Sequence, residues 1–503
     1  MKYPSWLIFL TLVPPLAGCH GQQGNSIDDA PAVTAEALKS AADDPGVRTF
    51  YAAEAWQPVW SKDAEKALGE VLAGRAAHGL DRVVFLTDEA RQSPEMREAS
   101  LTKAALAYAS ALAKGLVDPK ALYKISATPR PDPDLAAGLL GALRNGKLED
   151  WFASLAPHDA EYQALSVVYR QMRQATNDQG SAGIPTGRAI HPGQEDARVP
   201  RIAAALHVIG YLADTPDKDA KRYTPAIADA VRSFQKDIGA KATGVVGNDT
   251  LTALNTAPGD RALATAVAME RRRWQLRTAP PATRIDVNTA TALLTYVRPG
   301  QPAEQRRVVV GQPGWETPPL NATLFRLVAN PTWTVPKSIE AKEMSNVSAA
   351  YLAKNDMVRQ DGHIVQQSGP KNSLGLVKFD LDDPYAIYLH DTPAKSWFAT
   401  DTRHRSHGCV RVQDALGFAQ QIAGEEQVAA EWQKAEASGK ESFVKLPKPI
   451  AVRLFYHPTW ADDAGKVHFE EDVYDWDEPI AAQLGFGPGR ARRLAPPVND
   501  VGP

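Results

Sequence analysis

Cysteine is nearly absent from this chain: Cys19 and Cys409 are the only two in 503 residues. Two thiols cannot build the disulfide framework of a small secreted scaffold, and a four-cysteine zinc site is arithmetically excluded. A surplus of one charge is missing as well, since 56 Lys and Arg face 59 Asp and Glu for a net charge of -3. A chain so balanced carries no overall electrostatic footprint for nucleic acid. No apolar run reaches the about 20 residues that a membrane-spanning helix needs. No long repeat or low-complexity tract stands out. What is plentiful is core material: 44% of residues are hydrophobic, with 14 Tyr, 13 Phe and 11 Trp, which rules out wholesale disorder. At about 150 residues per domain, three or so structural units are expected.

The start of the chain reads as an export signal. A short positive n-region (Met1-Lys2-Tyr3) precedes an apolar stretch from Trp6 to Val13 and then Leu16-Ala17-Gly18-Cys19. Leu-Ala-Gly-Cys resembles a bacterial lipobox, so residues 1–19 are expected to be a lipoprotein-type signal peptide with Cys19 as the lipidated residue. That resemblance implies a protein anchored to an envelope membrane through lipid, with a periplasmic body. An ordinary signal peptide with an incidental cysteine is the alternative, and Pro14 and Pro15 are unusual inside such a segment.

Residues 20–47, polar and small at first, read as a flexible tether. From 48 to 190 the periodicity is mostly helical, and Asn177 to Pro200 is rich in Gly, Pro and Ser like a boundary. In 200–257, Ile227, Ala230, Val231, Phe234 and Ile238 fall on one helix face. Gly239 suits a C-cap, Gly244 and Gly247 mark a tight loop, and Asn248 or Asp249 can cap the next helix. The string Tyr223-x-x-x-Ile227-x-x-Ala230-Val231-x-x-Phe234-Gln235, with Gly244-x-x-Gly247-x-x-Thr250-x-x-x-Leu254-Asn255, resembles a peptidoglycan-binding type 1 domain, a small three-helix module. A separate Arg-rich helix is expected from about Asp260 to Arg277. Beyond Thr283 the pattern turns to strands, at Arg284 to Asn288, Arg307 to Gly311, Ala386 to His390 and Ile450 to Tyr456, with helix from Asp414 to Glu436.

The chemistry gathers in His390-Asp391-Thr392-Pro393 and Arg403-His404-Arg405-Ser406-His407-Gly408-Cys409-Val410-Arg411. A cysteine becomes a useful nucleophile when a neighbouring base or cation favours its thiolate. His390 ends an apolar strand, where its imidazole could face the Cys409 loop. Gly408 lets backbone approach a reacting carbonyl, so amides of the 407–409 turn could form an oxyanion site. Arg405 and Arg411 add positive charge that would favour thiolate and attract a carboxylate. A buried structural cysteine is the plainer reading. A zinc site on His390, His404, His407 and Cys409 is conceivable by count, but His-x-Cys lacks the usual zinc spacing and His-Glu-x-x-His is absent.

Ser406-His407-Gly408-Cys409-Val410-Arg411, with His390 upstream, resembles the L,D-transpeptidase (YkuD-type) catalytic domain. Other stretches resemble the large Gram-negative periplasmic members of that family: Gln57-Pro58-Val59-Trp60, His78-Gly79-Leu80-Asp81, Glu270-Arg271-x-Arg273-Trp274, Thr317-Pro318, Asn330-Pro331-x-Trp333, Asn372-x-Leu374-Gly375 and Asp472-Val473-Tyr474. The resemblance implies a multidomain α+β protein. Its parts would be a helical scaffold at 48–190, the binding module at 200–257 and a β-rich catalytic domain at 283–425. A lid insertion would occupy about 336–369 and a C-terminal extension 426–486, while the tail 487–503, with Arg490, Arg492, Arg493 and Ala495-Pro496-Pro497, reads as disordered from its own composition. The resemblance implies that Cys409 is the nucleophile and His390 the general acid/base. His407 and Gly408 would line the oxyanion and substrate site, and Ser406 and Arg411 would fix the loop or contact a substrate carboxylate. Trp333, Tyr388 and Trp397 could line the site, although strand aromatics are more often core.

The implied partners are peptidoglycan stem peptides and glycan, with carbapenem-type inhibitors acylating Cys409. No cofactor, metal or nucleic acid is implied. The implied reaction is 3-3 cross-linking in cell-wall biogenesis. An L,D-carboxypeptidase or endopeptidase on the same fold, or a non-catalytic wall-binding lipoprotein, are the alternatives.

Overall fold

The computed structural model describes residues 33–487 except 88–92, 126–127, 181–182, 215–216, 218, 239 and 401. The signal segment with Cys19, the Gly239 cap and the tail therefore lie outside the described residues.

The N-terminal part is helical because its helices begin on good caps and carry one apolar face. Asp44 accepts from the amides of Gly46 and Val47 ahead of Pro45–Ala53, and Ser61 accepts from Ala64 ahead of Lys62–Ala73. The longest helices of this region, Pro94–Lys114 and Ala160–Gly180, bury Leu101, Ala105, Tyr108, Tyr162, Leu165 and Tyr169. The binding module follows as Val199–Val208, Pro225–Asp237 and the start of Asn248–Arg273. Three expectations change here. The third helix does not stop at 257: it runs unbroken through Pro258 to Arg273, so the separate Arg-rich helix is its second half. Burial of Ala262, Thr265, Ala266 and Met269 in the core shared with Leu165 and Tyr169 outweighs the hydrogen bond that Pro258 cannot make. The cap residue is Gly247, with no side-chain cap from Asn248 or Asp249. The stretch 183–200 is no loose boundary either, since Ile184 and Ile190 are buried and Ile190 bridges Val246. A single hydrophobic core thus continues from the scaffold helices into the module, and Ile480 and Leu484 of the C-terminal helix Asp477–Gln483 join it.

Fourteen strands follow among the described residues. They are β1 (Arg284–Asn288), β2 (Leu293–Val297), β3 (Glu304–Gly311), β4 (Leu320–Ala329), β5 (Trp333–Thr334), β6 (Met357–Gln360) and β7 (His363–Gln366). Then come β8 (Val377–Leu381), β9 (Leu389–His390), β10 (His404–Ser406), β11 (Val410–Val412), β12 (Ser442–Phe455), β13 (Thr459–Ala461) and β14 (Val467–Phe469). The main sheet runs β10-β3-β11-β9-β8-β4-β12-β1-β2, and an additional β2–β3 pairing closes it on itself. Closure leaves few open edges for misplaced pairing. β12 lies between β4 and β1, so the segment expected as an extension is a central strand. Its register shifts between Lys445 and Ile450, where Pro447 and Pro449 have no amide to donate. Phe418, Ile422 and Trp432 cover one face of the sheet, against Leu294, Val308, Phe379, Val410 and Leu454. The helix expected over 414–436 is two helices, Ala415–Glu425 and Ala429–Ala437, broken at Gln427 with φ 62°.

Between β4 and β8 the chain forms a small subdomain in place of a bare loop. Helices Lys337–Glu343 and Ala349–Lys354 pack with β5, β7 and β6 around Trp333, Val335, Ile339, Met344, Leu352 and Ile364.

Candidate active site

The site grows from strand register. β9 and β11 run parallel with Leu389 opposite Val410 and His390 opposite Arg411, and β8 places Lys378 opposite His390. Because side chains alternate along a strand, Leu389, Val410, Val412 and Phe379 turn into the core. The opposite face then receives Lys378, Tyr388, His390, Cys409 and Arg411 together. Register alone brings the thiol and the imidazole to one surface. Only Leu389–His390 of the expected 386–390 strand is extended in the sheet, since Ala386 has φ 57°.

The turn carrying Cys409 is fixed by hydroxyls. Ser406 Oγ accepts from the Gly408 amide at 3.2 Å and donates to the Cys409 carbonyl at 2.6 Å. Thr317 Oγ1 donates to the Gly408 carbonyl at 2.8 Å and accepts from Gly311 N at 2.9 Å. Gly408 itself has φ 113°, a conformation costly for any side chain. These bonds revise one expectation. The Gly408 amide is already engaged by Ser406, so it is not a ready oxyanion donor, and Ser406 is a loop brace facing away from solvent (0% exposed).

Electrostatics revise another. Cys409 is 7% exposed and its thiol is pushed up to about 11, first by burial, with the backbone and hydroxyl of Tyr388 and the charge of Lys378 opposing. His390 is fully buried and held well below its usual value, by burial first and then by Arg411. Backbone groups of Asp391 and Leu374 meet the His390 ring and oppose that shift without reversing it. The resting pair is therefore neutral thiol and neutral imidazole. The two arginines do not create a thiolate: the guanidinium groups of Arg411 and Arg405 lie over Trp397 at 4.9 and 5.5 Å from its centroid.

Next to His390, Asp391 accepts from the Leu376 amide at 3.0 Å and pairs with Lys395. Gly375 makes room for it: φ is 63°, and a Cβ there would lie 2.3 Å from Asp391 Oδ2. His407 reaches toward the inserted subdomain. Its Nε2 bonds Glu343 of the inserted subdomain at 2.6 Å, and its ring meets Trp315 edge-on at 4.9 Å. Tyr388 and Trp315 also pack against the inserted core, which joins that subdomain to the Cys409 turn. Lys378 and Glu343 were not singled out from sequence, because cross-strand register and the packing of an insertion leave no local signature, and Asp391 was quoted beside His390 without a role. Among the described residues no cluster of metal-ligating side chains occurs, and His404 instead bonds the Thr289 carbonyl at 2.8 Å.

Other stretches singled out in the sequence hold the frame. Glu270, fully buried, binds Arg273 at 2.7 Å, the Val117 amide at 2.8 Å and Trp274 at 3.1 Å. Asn330 and Asn372 each bridge backbone carbonyls with one amide group, at 3.0 Å to Glu436 and 2.9 Å to Gln367. Tyr474 donates to the Gly311 carbonyl at 2.7 Å.

Comparison with known proteins agrees with this architecture. Residues 282–432 match the L,D-transpeptidase catalytic domain, 45–167 the scaffold domain and 195–254 the family described as "Putative peptidoglycan binding domain". A "Putative L,D-transpeptidase" of Haemophilus influenzae is 27% identical over 224 residues, 39% of this chain and 45% of that protein. The chain thus spans less than half the length of that curated relative. An L,D-transpeptidase structure from Xylanimonas cellulosilytica is 16% identical, covering 54% of this chain and 99% of its own, with TM-score 0.17. One from Stackebrandtia nassauensis is also 16% identical, covering 55% and 98%, with TM-score 0.21. Those scores are too low to argue from. The family matches suffice at the level of domains: this chain carries an L,D-transpeptidase catalytic domain, together with a scaffold domain and a peptidoglycan-binding domain.

Proposed function

We propose that the protein is a cysteine L,D-transpeptidase that makes 3-3 cross-links between peptidoglycan stem peptides. The observation that carries this reading is the register of β9 on β11, which sets Cys409 and His390 on one sheet face within the matched domain. In the proposed reaction a tetrapeptide stem enters under the inserted subdomain and displaces water. His390 takes the proton of the Cys409 thiol as sulfur attacks the carbonyl of diaminopimelate. The tetrahedral oxyanion is received by the Cys409 amide, since that of Gly408 is committed to Ser406. The C–N bond breaks, His390 returns its proton to the leaving D-Ala amine, and a thioester remains. The side-chain amine of a second diaminopimelate then attacks, passing its proton through His390 as the C–S bond breaks and the thiol re-forms.

A neutral resting pair suits this sequence, because the charge separates only when substrate is present. His407 acts by docking the insertion through Glu343, and Arg411 by holding His390 neutral. Export and lipidation at Cys19 complete the proposal, placing the domain against peptidoglycan on the periplasmic side of a membrane.

The test is mass spectrometry of products from disaccharide-tetrapeptide, with Cys409→Ala as control. A dimer with loss of one D-Ala supports the reading. Tripeptide alone replaces it with a carboxypeptidase, and identical products from wild type and Cys409→Ala refute the assigned nucleophile. Carbapenem should add one acyl group to Cys409 in the same protein.

A further inference from the structure

A cavity of about 230 Å³ lies where the sheet of the catalytic domain meets the ends of the helices Ala160–Gly180 and Asn248–Arg273. Its floor is a face of four neighbouring strands. Register aligns Asp286 with Arg453 and Thr295, Thr295 with Gln305, and Asn288 with Phe455 and Leu293. The alternate residues Ile285, Val287, Leu294 and Leu454 fill the core behind it. In an isolated domain this floor would meet solvent. Here Arg272 and Gln275, at the end of the long helix, roof it together with Glu161 and Trp460.

The lining has a definite chemistry. Its charges are matched: Arg272 pairs with Asp159 at 2.8 Å and Glu161 at 3.4 Å, and Arg453 pairs with Asp286 at 2.6 Å. Among the described lining residues each charged side chain has an opposite partner, with Arg272 Nε the one buried guanidinium donor lacking an acceptor. What is left is aromatic surface and neutral hydrogen-bonding groups. Trp460 is stacked on His468 at 4.5 Å, and its buried indole N–H has no partner among the described residues. A buried donor without an acceptor costs free energy that a ligand oxygen would recover. Thr295 and Gln305 add a hydroxyl and an amide on the floor, while Phe455 and Trp460 offer rings for apolar C–H faces.

We propose that this cavity is a glycan subsite that takes one neutral N-acetylhexosamine ring. The proposal rests on the peptidoglycan reading for the source of the sugar. Trp460 sits on the β13–β14 hairpin, and Phe469 of that hairpin lies under Arg261, which also covers Tyr211 of the binding module. A glycan strand held by the module would therefore continue across the hairpin into the cavity.

The experiment is photo-crosslinking of the full chain with an N-acetylglucosamine trimer bearing a diazirine, followed by peptide mapping. Adducts are expected in the segments around Gln275, Asn288 to Thr295 and His457 to Ala461, and excess untagged trimer should suppress them. Trp460→Phe and Gln305→Ala should each lower those adducts at least fivefold, with adducts in 195–254 and carbapenem acylation of Cys409 unchanged. Adducts confined to 195–254, or cavity adducts indifferent to both substitutions, would overturn the subsite. If Cys409 fails to acylate in wild type while the cavity still labels, the transpeptidase reading falls and the sugar site stands.

Discussion

The neutral state of the Cys409 thiol is directly measurable. Burial pushes it up to about 11, against 9.0 for an unperturbed thiol. Alkylation needs the thiolate. Two pH units of displacement leave about a hundredfold less thiolate at pH 8 than an unfolded chain has. The perturbation is pH itself, and the assay is iodoacetamide alkylation followed by intact mass, on Cys19→Ser protein, folded and in urea. The urea-unfolded rate should level off near pH 9. The folded rate should be about a hundredfold lower at pH 8 and still climbing between pH 9 and 10. Steric shielding would lower the rate at every pH without moving the inflection, so the shape separates the two causes. A folded rate that matches or exceeds the unfolded one, with its inflection below pH 8, would refute the reasoning and restore an arginine-activated thiolate.

Three further outcomes follow from the same geometry. Ser406→Ala leaves the Gly408 amide and the Cys409 carbonyl without their bonds in a buried turn, and should cost about 2–4 kcal/mol in urea unfolding. Carbapenem acylation should fall with it, and a loss below about 0.5 kcal/mol would mean the brace is idle. Gly375→Ala puts a Cβ 2.3 Å from a carboxylate that is already tied down, and should cost about 1–3 kcal/mol by crowding. Cross-linking should drop more than stability, because Asp391 adjoins His390; equal activity in the variant would contradict the contact. Acid should destabilise the fold, since His78 and His404 are held near about 4, chiefly by burial. The unfolded rings take up protons near 6.5 and the folded ones refuse them, so stability is full above that pH and is lost as pH falls toward 4. The loss is about 2 kcal/mol per ring between pH 7 and 5. His404→Gln should make the urea midpoint fall less steeply over that range, with His78 still contributing, and an unchanged slope would speak against the buried neutral ring.

The sequence determined a good deal alone. Periodicity and caps place the helices of the scaffold and the module, because those signals are local along the chain. The Ser406 to Arg411 string with His390 points to the catalytic domain for the same reason: its members sit close together in sequence. The module end at 257 and the Asn177 to Pro200 boundary misled, since both were read from local signals, and tertiary burial overrode them. Everything that depends on distance through space was decided by the fold. Cys409 and His390 share a face only because β9 lies beside β11 in one particular register. The Gly408 amide is occupied only because Ser406 turns back on it, and His407 reaches Glu343 across 64 residues of chain. The protonation state of the thiol was inverted for that reason: charge near in sequence suggested thiolate, but desolvation is a property of the folded interior and it outweighs the arginines.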